Sequence, residues 1–217
     1  MDYSLFEVKK NQLEMVRDRG YDISEEENIL NMTFLEFNNY VLSKISNIDD
    51  ISKILNHNYM KNSDICYVYY ILLNKNNKKK KPIMSDLINQ FLQYIQKYQP
   101  NESILILDSP IPNNKKNEYQ NIINLQVFDK SQLTFNPIKH ILVPKHEKIP
   151  DDEKEEKLKE LKATINKLPS IKINDPIVQY YGWKINDLIR IYRDDDELPL
   201  LTTKSINYRV VIPSYNY

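Results

Sequence analysis

The chain has 217 residues, 41% of them hydrophobic and 28% charged, which is typical of a folded chain with one large or two small domains; we expect two. Its 30 basic and 30 acidic residues give a formal net charge of zero, so no overall positive field draws it to nucleic acid or to anionic lipid. Any contact with nucleic acid must therefore be local or shared with a partner.

Cysteine and glycine are both scarce. The single cysteine, Cys66, excludes an internal disulfide and a cysteine zinc ribbon, which favours a reducing, intracellular compartment. The two glycines, Gly20 and Gly182, are too few for a P-loop or a dinucleotide-binding fingerprint. No secretory signal or long apolar stretch is apparent, so we expect no membrane partner.

The first elements in chain order are two predicted helices. Apolar residues follow one helical face over residues 4–19, and Gly20 is placed to end that helix. A second helix is predicted over residues 33–43, where Thr33 and Glu36 have the spacing of a capping box.

Strands and helices then alternate. Strands are predicted at residues 65–73, 103–107 and 122–128, with a helix from Pro82 to about Tyr98 and a helical turn near Tyr119 between them. This order predicts an N-terminal α/β domain with a three- to four-stranded mixed sheet, at least partly parallel.

The composition changes after Pro137, which predicts a second, small α+β domain. Its expected elements are a charged helix over residues 151–162, an extended segment, a helix opening at Asp175 and Pro176, and strands at 188–192 and 208–212. In the charged helix only Leu158, Leu161 and Ile165 are available to pack. The predicted domains are therefore residues 1–139 and 140–217, and the overall class is α/β to α+β.

The stretch HILVPKH, residues 140–146, raises the question of a metal site. His140 and His146 are six residues apart, too far for two ligands on one helical turn, and ILVP favours an extended segment. HEKIP begins like a zinc-protease helix but has Pro150 where the second histidine is required. We therefore predict no metal site.

Other catalytic patterns are equally weak. Cys66 lies in an apolar strand, and RDDDE at residues 193–197 is more typical of a solvated turn than of a cation site. A restriction-type nuclease would use Asp108 with an acid and a lysine alternating on the next strand, whereas Asp129 and Lys130 are adjacent and fall on opposite faces. We expect no catalytic residue and no cofactor.

One local cluster of positive charge stands out in this neutral chain. It is either a solvated loop or a set of phosphate contacts without sequence readout. The cluster consists of Lys75, Lys78, Lys79, Lys80 and Lys81.

Several motifs together resemble a known family. HILVPKH, a charged helix, LPSIKINDPIVQYYG, LIRIYR and NYRVV are similar to the C-terminal domain of the fifth-largest subunit shared by eukaryotic RNA polymerases, a domain that archaeal polymerases also possess. EMVRDRGYDISEEE resembles the N-terminal jaw domain, which the archaeal counterpart lacks. The family-pattern positions are His140, Val143, Pro144, His146, Pro169, Asp175, Pro176, Tyr180, Gly182, Arg190, Tyr208 and Arg209.

The resemblance implies a noncatalytic polymerase subunit. Its C-terminal domain would dock on the largest subunit, beside other polymerase subunits, and its N-terminal domain would form part of the lower jaw near downstream double-stranded DNA, with no homo-oligomer. A degenerate nuclease or a stand-alone adaptor that reuses the fold are the alternatives. Arg190 and Arg209 are expected to pair with partner groups, while Asp175 and Gly182 are expected to cap a helix.

Two departures from the family pattern bear on its origin. Asn186 stands where a glycine is usual and is expected to tolerate the left-handed conformation, and the loop over residues 194–207 is long. Abundant isoleucine, lysine, asparagine and tyrosine indicate an AT-rich genome, such as that of a large DNA virus. The expected location is the nucleus for a cellular protein, and the virion or a cytoplasmic viral factory for a viral one.

Overall fold

The computed structural model describes residues 2–45, 51–72, 84–108, 110, 119, 122–193 and 205–214. The chain divides into two compact units, the N-terminal unit Met1–Phe135 and the C-terminal unit Asn136–Tyr217. Asn136 is the first residue of the second unit, and its side-chain amide donates a hydrogen bond to the Tyr180 hydroxyl, 3.1 Å away. The predicted boundary after residue 139 lies a few residues later, at the end of the short 3-10 helix Pro137–Lys139.

The helices of the N-terminal unit begin and end where local capping chemistry places them. Gly20, at φ 89°, follows the first helix, and a side chain there would press on Lys61 at 3.2 Å. Thr33 and Glu36 form the predicted capping box, with the Glu36 carboxylate accepting from the Thr33 amide at 2.7 Å. The described helices are α1 (Tyr3–Asp18), α2 (Phe34–Lys44), α3 (Ile51–Leu55) and α4 (Met84–Tyr98), with 3-10 helices at Glu27–Asn31 and Lys130–Leu133.

The sheet of this unit is mixed, as predicted. Strands β2, β3 and β4 are parallel, and β1 joins β2 as an antiparallel edge. The sequence pattern did not predict α3 or β1, because β1 is short and mostly polar; it is tied to β2 by a tight turn in which Asn62 has φ 55°. The described strands are β1 (His57–Lys61), β2 (Asp64–Ile71), β3 (Glu102–Leu107) and β4 (Leu125–Asp129).

An apolar layer between α4 and the sheet forms one core of the unit. Phe91 and Ile88 of α4 pack with Tyr67, Leu105 and Leu107 of the parallel strands. Burial of residues of this size stabilises the fold by about 1.5–3 kcal/mol each. Helix α1 is buried too, with Val8, Leu13, Met15 and Val16 all out of contact with solvent.

A buried polar network joins α1 to the sheet. The Lys9 ammonium, which is fully buried, donates to the Glu26 carboxylate at 2.8 Å and to the Tyr59 hydroxyl at 3.1 Å. The Tyr59 hydroxyl also donates to Glu26 through a short bond. Gln12 extends the network, accepting from the Tyr70 hydroxyl at 3.1 Å. Burial lowers the pKa of Lys9, and the Glu26 charge opposes that shift.

The C-terminal unit has a second mixed sheet, in the order β5-β7-β8-β6. Strands β5, β7 and β8 are antiparallel neighbours, and β6 runs parallel to β8. The predicted α/β to α+β class is therefore confirmed. The described elements of this unit are β5 (Lys145–Lys148), α5 (Lys154–Glu160), β6 (Ser170–Lys172), α6 (Pro176–Tyr181), β7 (Leu188–Arg193) and β8 (Ser205–Ile212), with 3-10 helices at Pro137–Lys139 and Ile165–Lys167.

Alternation along β7 gives this sheet two different faces. Ile189 and Ile191 point into an apolar core that includes α6 and Trp183. Leu188, Arg190 and Tyr192 occupy the other face. The core residues are Ile171, Ile177, Val178, Trp183, Ile189, Ile191 and Val211.

Three predicted elements have different bounds in the structure. Residues 122–124 form a turn in which Asn124 has φ 61°, so β4 begins only at Leu125. The charged helix is confined to Lys154–Glu160, after a turn at residues 151–153, and Leu158 and Leu161 are only half-buried. Strand β8 begins earlier than predicted, at Ser205, and residues 194–204 lie outside the described residues.

No helix in the described ranges is long and apolar enough to cross a membrane.

Candidate functional site in the C-terminal sheet

The segment Asp175 to Gly182 is a short helix with both of its ends capped. The Asp175 carboxylate accepts from the Ile177 amide at 2.9 Å, and Pro176 occupies the first turn, where an amide hydrogen is not needed. Gly182 ends α6 in the left-handed conformation, at φ 68°. These predicted roles are confirmed, and they hold Tyr180 against the buried Asn136 amide.

HILVPKH forms a β-turn and the start of a strand, and the predicted extended segment over ILVP is wrong. The Val143 amide donates to the His140 carbonyl at 2.8 Å, which closes the turn. Ile141 and Leu142 occupy its tip and are 95% and 81% exposed. Val143 then packs against the apolar core of the unit. The His140 ring also stabilises the turn, because its Nδ1 accepts from the Leu142 amide at 3.2 Å.

The His146 side chain is half-buried on β5. Its Nδ1 lies 2.6 Å from the Pro144 carbonyl oxygen. Burial lowers the pKa of His146, with Arg209 and Arg193 adding to that effect, while the Pro144 carbonyl and Asp175 oppose it. Among the described residues, no group of three or more His, Cys, Asp or Glu side chains could hold a metal ion.

A chain of polar contacts crosses the other face of the sheet. Arg190 donates to the Tyr192 hydroxyl at 3.1 Å, and that hydroxyl donates to the Glu147 carboxylate at 2.6 Å. Lys145 pairs with the same carboxylate at 2.6 Å, and hydrogen bonds from Lys145 and Tyr192 lower the pKa of Glu147. Tyr208 lies opposite Arg190 in the β7–β8 register.

The two family-pattern arginines, expected to pair with partner groups, already bond within the chain. Arg209 donates to the Ser170 carbonyl at 3.0 Å, which ties β8 to β6. The Arg190 Nε atom is buried and has no hydrogen-bond partner among the described residues. Pro169 contributes its carbonyl, which accepts from the Val210 amide at 2.9 Å.

The residues of β5 line a cavity of about 540 Å³. Two aromatic rings line part of it, Tyr181 and Trp183, which stack with centroids 4.6 Å apart and planes inclined by 14°. The complete lining consists of Lys145, His146, Glu147, Lys148, Ile149, Pro150, Glu153, Tyr181, Trp183 and Arg190.

Sequence reasoning missed several residues of this region. Glu147, Tyr181, Trp183 and Tyr192 were not predicted as functional, although Glu147 and Tyr192 complete the Arg190 contacts and Tyr181 and Trp183 line the cavity. The alternation of β7 puts Tyr192 on the same face as Arg190, so the LIRIYR pattern alone could have pointed to Tyr192. The partner strand β5 could not be found the same way, because KHEK is polar throughout.

The catalytic candidates of the N-terminal unit occupy structural positions. Cys66 is buried, and burial raises its pKa to about 12, so the unreactive thiol is favoured. The Lys130 ammonium lies 3.6 Å from the Asp108 carboxylate. The Asp129 carboxylate accepts from the Ser131 amide at 3.1 Å and caps a 3-10 helix. The predicted DNA-proximal cluster, Lys75, Lys78, Lys79, Lys80 and Lys81, lies outside the described residues.

Comparison with known proteins gives consistent matches in both units. Residues 2–90 match the family model of the RNA polymerase Rpb5 N-terminal domain, and residues 135–211 match that of the C-terminal domain. Subunit 5B of DNA-directed RNA polymerases IV and V from Arabidopsis thaliana is 26% identical over 206 residues, which cover 94% of this chain and 88% of the relative.

Two further relatives come from an animal and an archaeon. Subunit RPABC1 of DNA-directed RNA polymerases I, II, and III from Caenorhabditis briggsae is 26% identical over 215 residues, 97% of this chain and 96% of the relative. DNA-directed RNA polymerase subunit Rpo5 from Methanocaldococcus jannaschii is 44% identical over 73 residues, 34% of this chain but 88% of the relative.

Proposed function

The chain belongs to the Rpb5 family of RNA polymerase subunits, and from this we propose that it is an assembly subunit whose C-terminal unit docks on the largest polymerase subunit. It is a noncatalytic subunit of a DNA-directed RNA polymerase, with other polymerase subunits as its partners. In the same proposal the N-terminal unit forms part of the lower jaw, near downstream DNA.

One observation carries the docking proposal. The archaeal relative aligns over 73 residues that make up 88% of its own length, and the Rpb5 C-terminal family model covers residues 135–211 of this chain. A polymerase subunit that is little longer than this unit supports the proposal that the C-terminal unit carries the docking. The caps of helix α6 and the hydrogen bond from Arg190 to Tyr192 hold these side chains in place on the small unit.

Purification of the tagged full-length chain from its own cells tests the proposal. We expect the other polymerase subunits, the largest among them, to be recovered at low salt and identified by mass spectrometry. A tagged unrelated protein of similar size and charge is the control. Recovery of the chain without any polymerase subunit would contradict the proposal.

The DNA contact is proposed for the lysine cluster. Its five lysines fall within the residues that match the Rpb5 N-terminal domain. Each lysine that pairs with a phosphate releases counterions and makes the slope of log affinity against log salt more negative by roughly 0.9. Such a cluster supplies affinity without sequence readout, which suits a subunit that holds duplex DNA regardless of its sequence.

Replacing Lys78, Lys79, Lys80 and Lys81 by alanine in the assembled polymerase tests this contact. We expect weaker binding to downstream duplex DNA and a salt slope that falls by up to about 0.9 for each lysine engaged. The matched control replaces the same four lysines by arginine, which keeps the charge and should keep the slope. An unchanged slope in the alanine variant would show that the cluster is solvated.

The eukaryotic relatives lead us to infer the nucleus as the location of the protein. A fluorescent fusion expressed from the native gene should therefore be nuclear, and exclusion from the nucleus would contradict this inference. Origin in a large DNA virus stays a prediction from composition, with the virion or a cytoplasmic factory as the location it implies.

A further inference from the structure

We propose that the outer edge of β5 receives an extended segment of another polymerase subunit, which adds a strand to the C-terminal sheet. This inference rests on the proposed function, because it takes the partner to be a component of the polymerase. It adds the mode of contact, backbone hydrogen bonding along an open strand edge, and it identifies the residues that make it.

The hydrogen-bond register shows which groups are open. The Ile149 amide donates to the Leu188 carbonyl at 2.8 Å, so Ile149 and Leu188 are a hydrogen-bonded pair. Such pairs alternate with non-bonded pairs in an antiparallel ladder. The backbone amide and carbonyl of Glu147 therefore bond to those of Arg190. The amides and carbonyls of His146 and Lys148 point away from β7. No described residue supplies a partner for these four outward groups.

The two lysines beside this edge, Lys145 and Lys148, do not prevent another strand from docking there. Lysines on an edge strand usually keep other strands away, because a strand that docks must desolvate them. Here Lys148 is paired with Asp187 at 2.8 Å and with Asp151 at 3.3 Å, and Lys145 is paired with Glu147 at 2.6 Å. Both ammonium groups are thus held beside carboxylates of the same chain, at opposite ends of β5.

The cavity that β5 lines indicates which side chains to expect in the incoming strand. Its wall includes the stacked rings of Tyr181 and Trp183 and the apolar Ile149. An added strand presents alternate side chains to each face, so one of them meets these rings. We expect that residue to be aliphatic or aromatic, because burial of such a side chain against aromatic rings supplies the apolar part of the contact.

Substitution of Lys148 by proline gives a direct test in the tagged full-length chain. Proline removes the outward amide of residue 148 but leaves the inward ladder to β7 intact, which strand edges tolerate. Lys148→Ala is the matched control, because it loses the same ion pairs and keeps the amide. We expect Lys148→Pro to recover the other polymerase subunits roughly fivefold less than Lys148→Ala does, because only the proline variant lacks the outward amide.

A second measurement separates loss of contact from loss of folding. Far-UV circular dichroism and Trp183 fluorescence should be alike for the two variants. In addition, the photo-crosslinking amino acid p-benzoylphenylalanine at position 148 should attach to one contiguous stretch of another polymerase subunit. This readout holds even if Lys148→Pro proves unfolded.

Three outcomes would overturn the inference. They are equal recovery of polymerase subunits by a folded Lys148→Pro chain, crosslinks from position 148 only to a second copy of this chain, and crosslinks only within the chain. In each case a wild-type chain that still recovers the polymerase leaves the proposed function standing. If the wild type recovers no polymerase subunit, the proposed function itself is wrong.

Discussion

Removal of the buried ammonium of Lys9 should be among the most destabilising single changes in the N-terminal unit. The Lys9–Glu26 ion pair is buried on both sides, with side-chain exposures of 0% and 7%. In Lys9→Met the carboxylate of Glu26 keeps only the Tyr59 hydroxyl as a hydrogen-bond donor among the contacts described above. An unpaired buried charge is therefore created without a large change in side-chain volume.

The expected magnitude follows from the geometry. Two unit charges 2.8 Å apart attract by roughly 6 kcal/mol at an effective dielectric constant of about 20, before desolvation is subtracted. Breaking such a buried pair from one side costs about 3–5 kcal/mol. In Lys9→Met/Glu26→Gln no charge remains, so we expect a loss of about 1–3 kcal/mol, which reflects polar groups left without partners. Glu26→Gln alone should also cost about 3–5 kcal/mol, because it leaves the Lys9 ammonium buried without its carboxylate. The coupling between the two sites should therefore be at least about 3 kcal/mol.

Urea denaturation of the full-length chain measures these free energies of unfolding. Far-UV circular dichroism follows both units, and fluorescence of Trp183, the one tryptophan of the sequence, follows the C-terminal unit as an internal control. In Lys9→Met we expect the urea midpoint of Trp183 fluorescence to stay constant. The unfolding transition of the N-terminal unit, followed by circular dichroism, should move to lower urea. A loss of less than about 1 kcal/mol in the free energy of unfolding of Lys9→Met would refute the reasoning. So would a Lys9→Met/Glu26→Gln variant that is no more stable than Lys9→Met.

Two further predictions concern the C-terminal unit. The pKa of His146 is lowered in the folded state, so near pH 6 the unfolded chain binds more protons and the unit should lose stability as pH falls through 6.5. His146→Gln should reduce the difference between the Trp183 urea midpoints at pH 7.5 and pH 5.5, and an unchanged difference would argue against this role. Asn186 has φ 72°, so Asn186→Val should destabilise by about 1–2 kcal/mol, whereas Asn186→Gly should change stability little because glycine adopts positive φ readily. Equal effects of the two changes on thermal unfolding would contradict the strain argument.

Local signals in the sequence predicted those features of the fold that depend on a few neighbouring residues. Thr33 with Glu36, and Asp175 with Pro176, marked helix starts because their side chains satisfy amides in the same turn. Asn186 was expected to tolerate the left-handed conformation that a glycine usually takes, and its φ confirms this. Each of these features needs no contact from elsewhere in the chain.

Features that depend on distant residues were not predictable in the same way. The sequence around β1 has few strand-forming residues, and β1 exists because β2 pairs with it along its whole length. Lys9 falls on the buried face of α1, and only the fold brings Glu26 and Tyr59 to it.

Periodicity and short motifs were therefore enough to establish the class of the protein, its two-part organisation and its likeness to a polymerase subunit family, because each of these signals is carried by residues close together in the chain. Folding decided how β5 presents an open edge, which side chains surround Arg190, and that Tyr181 and Trp183 line a cavity. These depend on strand register, and a shift of one residue would turn every side chain of β5 to the opposite face.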